Sequence, residues 1–369
     1  MKKIGIIAEY NPFHNGHLYQ INKIKEMFND SMIIVILSGN FTQKGDISII
    51  NKFEKTKIAL NNNVDLVVEL PFYFALEGAD IFSKGAISLI KELKIDTLVF
   101  GSETNDINML YKLANSQINN PIFDIKIKYY LEQGLSYPNS LSKALKDITN
   151  YELKNPNDIL GVSYIKEIIK QKANIDTICI KRTNDYNSLN LDSNIVSASA
   201  IRNAIKNNIN INKFIPNYEI KNSHFIDEYF DLIKYKILTE NNLSKYQTID
   251  EGIEYRIKKY INSANTLEEL INLCKTKRYT YNRIKRALIH ILCNFTKELS
   301  LNNKNIKYIR ILGFNNKGKK YLNEIKKEIN FPILTKYNDL LKDEALLTDI
   351  YNIKYKGKEE YKEKIIITD

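Results

Sequence analysis

Four short apolar runs punctuate the first hundred residues: KIGIIA at 3–8, MIIVIL at 32–37, DLVVEL at 65–70 and DTLVF at 96–100. Each is too short for a helix, and each is too continuously apolar for a strand with one wet face. They read as strands buried on both sides, the pattern of a parallel sheet. Helical spacing fills the gaps. Over residues 17–28, Leu18, Ile21, Ile24 and Met27 share one face, and residues 74–93 read as a helical crossover. Alternation of this kind predicts an α/β fold built on a Rossmann-like parallel sheet.

Further along, residues 105–172 read as mostly helical, broken at KNPND (154–158). A strand follows at 176–182, then a polar loop at 184–194 and a capped helix start at 197–207. FIPN at 214–217 marks the expected domain boundary. Beyond it come helices at 225–238, 250–262, 267–274 and 281–299, a strand-like run at 308–314 and a helix at 318–329. The chain of 369 residues is long enough for two domains, expected at 1–217 (α/β) and 218–369 (α-rich and basic). Cys179, Cys274 and Cys293 fit neither a disulfide framework nor a zinc site. No apolar stretch has the length of a membrane span or a signal segment, so a cytoplasmic protein is expected. The net charge of +11 favours a polyanionic partner, although a chain rich in Ile, Lys and Asn reaches such an excess without any binding role.

The densest chemistry lies in IAEYNPFHNGHLYQ, residues 7–20, between the first strand and first helix. Ligands of parallel sheets bind at such strand ends, and a helix start offers unpaired amides to phosphate. His14 and His17 flank Gly16 there, so two imidazoles and several amides are expected to face one anion, with Gly16 letting the backbone approach it. Adenylyl transfer needs donors of this kind, because charge grows on the α-phosphate oxygens and on departing pyrophosphate. The charge of the imidazoles is expected to follow demand near neutral pH.

HNGH after the first strand resembles the His-x-Gly-His motif of the nucleotidyltransferases related to class I aminoacyl-tRNA synthetases. SASAIR at 197–202 is similar to their second motif, which contacts the triphosphate, here through Ser199 and Arg202; the same string also suits an ordinary N-cap. Several further blocks together resemble the tRNA(Met) cytidine acetate ligase family: GNFTQKGDISI (39–49), DLVVELPF (65–72), FGSE (100–103), NPNDILGVSYIK (155–166) and IKRTNDY (180–186). RYTYNRIKRALIHIL (278–292) and YIRILGFNNKGKKYL (308–322) extend the resemblance to nearly the whole chain.

That resemblance implies activation of acetate by ATP as acetyl-adenylate, then transfer of acetyl to N4 of the wobble cytidine of elongator tRNA(Met). It implies ATP contacts at Ile7, Ala8, Glu9, Tyr10, Asn11, Pro12, Phe13, His14, Asn15, Gly16, His17, Leu18, Tyr19 and Gln20, and at Gly101, Asn157 and Arg182. His14 and His17 would stabilise the transition state. Gly101 would admit the adenosine or is a plain turn glycine, Arg182 would pair with phosphate or faces solvent, and Asn157 either joins them or caps a helix. Lys44 stands where the family usually has arginine, which keeps the charge but not the fork geometry. Magnesium is expected with the ATP. Asp46, Glu69 and Glu103 are candidate ligands or simply solvated carboxylates, and the ligand set stays open. Lys275, Lys277, Arg278, Arg283, Lys285 and Arg286, with Tyr279 and Tyr281 interleaved, suit RNA backbone contact and base stacking. His290 reads as a core residue. Other readings are a small-molecule adenylyltransferase of cofactor biosynthesis and a non-catalytic RNA-binding protein. Nothing in the sequence points to a protein partner.

Overall fold

The computed structural model describes residues 1–182 and 189–369. The polar loop expected at 184–194, and the end of the 180–186 block, therefore lie partly outside the described residues. The strands are β1 (Lys2–Ala8), β2 (Ser31–Ser38), a small hairpin of β3 (Phe41–Thr42) and β4 (Asp46–Ile47), β5 (Leu66–Leu70), β6 (Thr97–Ser102), β7 (Asp176–Lys181), β8 (Ile309–Phe314), β9 (Ile333–Leu334) and β10 (Ile366–Ile367). The large sheet runs β10–β8–β5–β2–β1–β6–β7, with β9 alongside β8. Every pairing from β5 to β7 is parallel. Parallel neighbours require crossovers, and helices Asn15–Met27, Lys52–Asn61 and Ala79–Glu92 supply them. β2 and β5 are buried along their whole length, as the unbroken apolar runs demand.

The strand order reverses at β1, which has β2 on one side and β6 on the other. Such a switch point opens a crevice at the carboxyl ends of the strands. Between β6 and β7 the chain makes four helices, Ile107–Asn119, Pro121–Glu132, Tyr137–Thr149 and Pro156–Lys170. The last of these returns to the crevice.

Two helix expectations need correction. The crossover at 74–93 is two helices, Phe72–Ala75 and Ala79–Glu92, separated where Gly78 takes an extended conformation. The helix expected at 281–299 stops at Leu292. Asn294 adopts the left-handed region at φ 54°, and the Thr296 hydroxyl then caps helix Lys297–Asn302 by accepting from the Leu299 amide at 3.1 Å.

The expected boundary at 217 does not divide the sheet. β8 pairs antiparallel with β5, and β9 and β10 flank it, so the carboxy-terminal segment completes the sheet begun by the first residues. Buried charge fastens this joint. The Lys52 Nζ donates to Glu69 at 2.8 Å and lies 2.9 Å from Glu360, which also meets Arg310 at 3.5 Å. All four side chains are almost wholly buried. Charges taken out of water cost several kcal/mol each, offset here by mutual pairing, so removing one leaves others uncompensated. Among the described residues, no helix is long and apolar enough to cross a membrane.

Lys52→Met is expected to lower the free energy of unfolding by about 3–5 kcal/mol, because it leaves the buried Glu69 without its paired cation and Glu360 with Arg310 alone. Urea denaturation measures this, and a loss below about 1 kcal/mol would show that the cluster does not hold the joint.

Candidate active site

His14 is the N-cap of helix Asn15–Met27, with φ −143° and ψ 172°. Its Nδ1 accepts the Gly16 amide at 3.0 Å, and its own amide donates to His17 Nδ1 at 3.2 Å. An accepting Nδ1 carries no proton, so the hydrogen bonds assign both rings as neutral imidazoles protonated on Nε2. Burial, and then the charges of Arg182 and Arg202, hold the His14 pKa down to about 3. Burial, His14 and Arg182 hold His17 well below the ordinary imidazole range. The expectation that these charges follow demand near neutral pH is thus corrected: the rings are fixed neutral donors. They stack with centroids 3.8 Å apart, and Tyr10 and Phe13 pack against His17.

The first-turn amides do not face an anion, because they are already spent. Asn15 N donates to Phe214 O at 2.9 Å, Gly16 N to the His14 ring, and His17 N to His14 O at 2.8 Å. Gly16 owes its place to the ring: a Cβ there would stand 2.8 Å from His14 Cε1.

A cleft of about 210 Å³ opens at the carboxyl ends of β1, β6 and β7. Ile7, Ala8, Glu9, Tyr10, Asn11, His14, Gly16, His17, Tyr19 and Gln20 line it, as do Gly101, Asn157, Arg182, Ser199 and Arg202. Pro12, Phe13, Asn15 and Leu18 do not. Phe13 is fully buried, Leu18 packs on the core, and the Asn15 amide clamps Asn194 O and Lys213 O at 2.9 and 2.8 Å. Pro12 follows a cis peptide bond. Asn11 ties this loop to the hairpin, its Nδ2 donating to Ile47 O and its Oδ1 accepting from the Ile49 amide.

Four cations line the cleft: Lys44, Lys181, Arg182 and Arg202. Arg202 donates from Nη1 to Asn11 O at 2.7 Å and from Nη2 to Ser199 Oγ at 3.1 Å. Ser197 caps its helix, Ala198–Lys206, so the second motif is both an N-cap and a cleft wall. The Arg182 side chain lies across Gly101, where a Cβ would meet its Cγ at 3.3 Å; the missing side chain therefore makes room for arginine. Burial lowers the Arg182 pKa. Burial also pushes Lys44 down to about 8, against the pull of Glu9.

Asn157 is not the cap of helix Pro156–Lys170, a position held by Asn155. Its Nδ2 donates to Glu103 Oε1 at 2.6 Å, and Glu103 also accepts the Asp158 amide at 3.1 Å. Sequence reasoning missed Asp158, which is fully buried and accepts from the Glu103 and Thr104 amides. It also missed Leu160 and Tyr164, which line the cleft with Asn157 at the i, i+3, i+7 spacing of one helix face, a signal legible in NPNDILGVSY. Lys55 was overlooked too. It is buried and donates to Glu9 O, Ser38 O and Gly39 O at 2.7–2.9 Å, pinning the ends of β1 and β2.

The basic run near residue 280 splits in two. Lys275, Lys277 and Arg278 are exposed. Arg283 pairs with Glu251, Lys285 with Asp46 (both 2.8 Å), and Arg286 donates to Gln43 O at 3.2 Å, so these three brace the fold. Tyr279 is buried with its hydroxyl on Glu251 O, which removes it as a stacking platform, and the Tyr281 hydroxyl donates to Glu268. His290 is a core residue, as expected, held between Leu76 O and Gln247 O.

A helix-capping histidine pair at the switch point of a parallel sheet, with cations opposite, defines a nucleotidyltransferase site. Residues 1–365 match the HIGH Nucleotidyl Transferase family. The chain is 42% identical to the tRNA(Met) cytidine acetate ligase of Clostridium perfringens, covering 95% of this chain and 93% of that one. It is 39% identical to the enzyme of the same name from Caldicellulosiruptor saccharolyticus, covering 98% and 96%. Crystal structures of Thermotoga maritima TmcAL superpose with TM-scores of 0.92 for the apo form and 0.90 for the form bound with alpha-thio ATP. Each is 28% identical and covers 100% of this chain and 99% of the other. The chain belongs to the tRNA(Met) cytidine acetate ligase family.

Because folded-state pKa values of His14 and His17 lie below the unfolded value near 6.5, the neutral rings stabilise the fold above that pH. That contribution is lost as pH falls from about 6.5 toward about 3. Proton NMR is expected to show no titration of either ring between about pH 5 and 8. A midpoint near 6.5 for either would refute the fixed neutral tautomers.

Proposed function

We propose that this chain is an ATP-dependent ligase that forms acetyl-adenylate from acetate and ATP, and then transfers acetyl to N4 of the wobble cytidine of elongator tRNA(Met). The observation that carries the reading is the pair of neutral imidazoles, protonated on Nε2, that line one cleft with Arg182, Arg202 and Lys44. A carboxylate oxygen attacks the α-phosphorus, the bond to the β-phosphate oxygen breaks, and pyrophosphate departs. His14 and His17 donate to the oxygens on which charge grows, and they do so without reorganising. Arg182, Arg202 and Lys44 balance the polyphosphate. Ile7, Phe100, Ile180 and Tyr164 supply an apolar wall suited to adenosine. The amine of cytidine then attacks the acyl carbon and AMP leaves. The relatives' names and the alpha-thio ATP bound by the Thermotoga protein support both halves.

Magnesium is proposed to arrive with the triphosphate. Among the described residues no group of three or more His, Cys, Asp or Glu is placed to hold a metal. Asp46, Glu69 and Glu103, the candidates from sequence, are engaged with Lys285, Lys52 and Asn157. The residues present do not form a metal cage, and no step is assigned to the ion. Free thiols at Cys179, Cys274 and Cys293 suit a reducing cytoplasm. Residues 218–369 are proposed to contact the tRNA through the exposed Lys275, Lys277 and Arg278.

His14→Ala and His17→Ala are each expected to slow acetate-dependent exchange of pyrophosphate into ATP by about 10²–10³-fold, the loss typical of one preorganised donor. Undiminished exchange would remove the site assignment. Reversing charge in Lys277→Glu/Arg278→Glu is expected to weaken tRNA binding and to flatten its salt dependence by about one unit of slope per lost phosphate contact. Binding assays across a salt series check this, and an unchanged slope would place the RNA elsewhere.

A further inference from the structure

We propose that a second cavity, walled by Asp46, Arg202, Glu268 and Tyr281, receives the acceptor nucleobase, and that Asp46 takes the hydrogen bond from its exocyclic amine; this rests on the acetyl-transfer reading above. The cavity measures about 180 Å³ and shares Ser199 and Arg202 with the nucleotide cleft. An attacking amine must come within bonding distance of a carbonyl carbon joined to the α-phosphate, so it has to enter through space continuous with the phosphate end of the cleft. The cavity abuts that end of the cleft at Ser199 and Arg202, which border both.

Its walls come from both ends of the chain. The hairpin β3–β4 and helix Ala198–Lys206 form one side, and helices Leu267–Cys274 and Tyr281–Leu292 form the other. The segment joining those last two helices carries the exposed Lys275, Lys277 and Arg278. An RNA backbone held there presents a loop base to the cavity, and enzymes that modify bases extrude them into such pockets.

The polar groups match an aminopyrimidine. Cytosine offers an N4 amine as donor, with N3 and O2 as acceptors, and carboxylates are its usual N4 partner. Asp46 Oδ2 accepts from Lys285 Nζ at 2.8 Å, and Oδ1 accepts from the Ile47 amide at 3.1 Å. A carboxylate has about four acceptor positions, so each oxygen keeps capacity for the amine. Arg202 spends one N–H of each terminal nitrogen on Asn11 O and Ser199 Oγ, which leaves three of the five guanidinium donors. Uracil would turn O4 toward Asp46, acceptor against acceptor, and is excluded.

In the transfer, N4 bonds to the carbonyl carbon, the carbon–oxygen bond to the α-phosphate breaks, and AMP leaves. One N4 proton passes along the hydrogen bond to Asp46. A conjugated amine that has added to a carbonyl is strongly acidic, so a carboxylate already paired with Lys285 suffices as acceptor.

The two half-reactions, measured on the same preparations, test this: acetate-dependent ATP–pyrophosphate exchange, and transfer of labelled acetyl to tRNA. Asp46→Asn is expected to depress transfer roughly 30-fold more than exchange, in the range of one lost base contact. Asn203→Trp places an indole in the cavity from an exposed helix position that tolerates substitution, and is expected to depress transfer preferentially as well. Transfer unaffected in both variants, or exchange and transfer slowed in equal proportion, overturns the subsite. Wild-type protein without acetate-dependent exchange overturns the acetyl-transfer reading and the subsite with it, an outcome read before either variant is made.

Discussion

The amide of Gly16 gives its hydrogen to His14, and the amide of His14 gives its own to His17. A helix start normally leaves such amides for solvent or for an anion. Here they orient two aromatic rings instead, which sets which nitrogen carries the proton. The arrangement also explains its neighbours. Gly16 must lack a side chain because the His14 ring occupies that space, and Tyr10, held at φ 46° and buried, packs edge-on to His17. Asn15 then locks the turn to the segment that bears the second motif, so both motifs are set by one loop.

Neutral imidazoles suit their setting because the cleft already holds Lys44, Arg182 and Arg202. Further positive charge would repel these cations. Burial pushes Lys44 down to about 8 and lowers Arg182, and a polyphosphate beside them would favour their charged forms.

The sheet and the histidine loop were legible because parallel strands and a strand-to-helix loop leave strong local patterns: unbroken apolar runs, then a polar turn before an amphipathic helix. What escaped notice depends on tertiary placement. Local pattern marks Asp158, Lys55 and Lys52 only as ordinary charged residues, and their burial follows from which backbone groups and ions the fold brings to them. That Arg283, Lys285 and Arg286 meet Glu251, Asp46 and Gln43 O was not legible, because helical spacing does not say which partners the fold brings to a helix. The short hairpin of β3 and β4 has too few residues to show alternation, and β8 carried no sign that it would sit beside β5.

That hairpin links the two halves of the chain. Gly45, in the left-handed region at φ 76°, brings its backbone directly against the Lys285–Arg286 backbone, where no side chain fits. Arg286 holds Gln43 O, and Lys285 holds Asp46. Gln43 and Lys44 line the nucleotide cleft, and Asp46 lines the neighbouring cavity. A displacement of helix Tyr281–Leu292 would therefore move a cleft cation and a cavity carboxylate together. Packing this close transmits such shifts with little loss. The carboxy-terminal strands are paired into the same sheet as β1, so the helix and the histidine loop are tied together twice, through the hairpin and through the sheet.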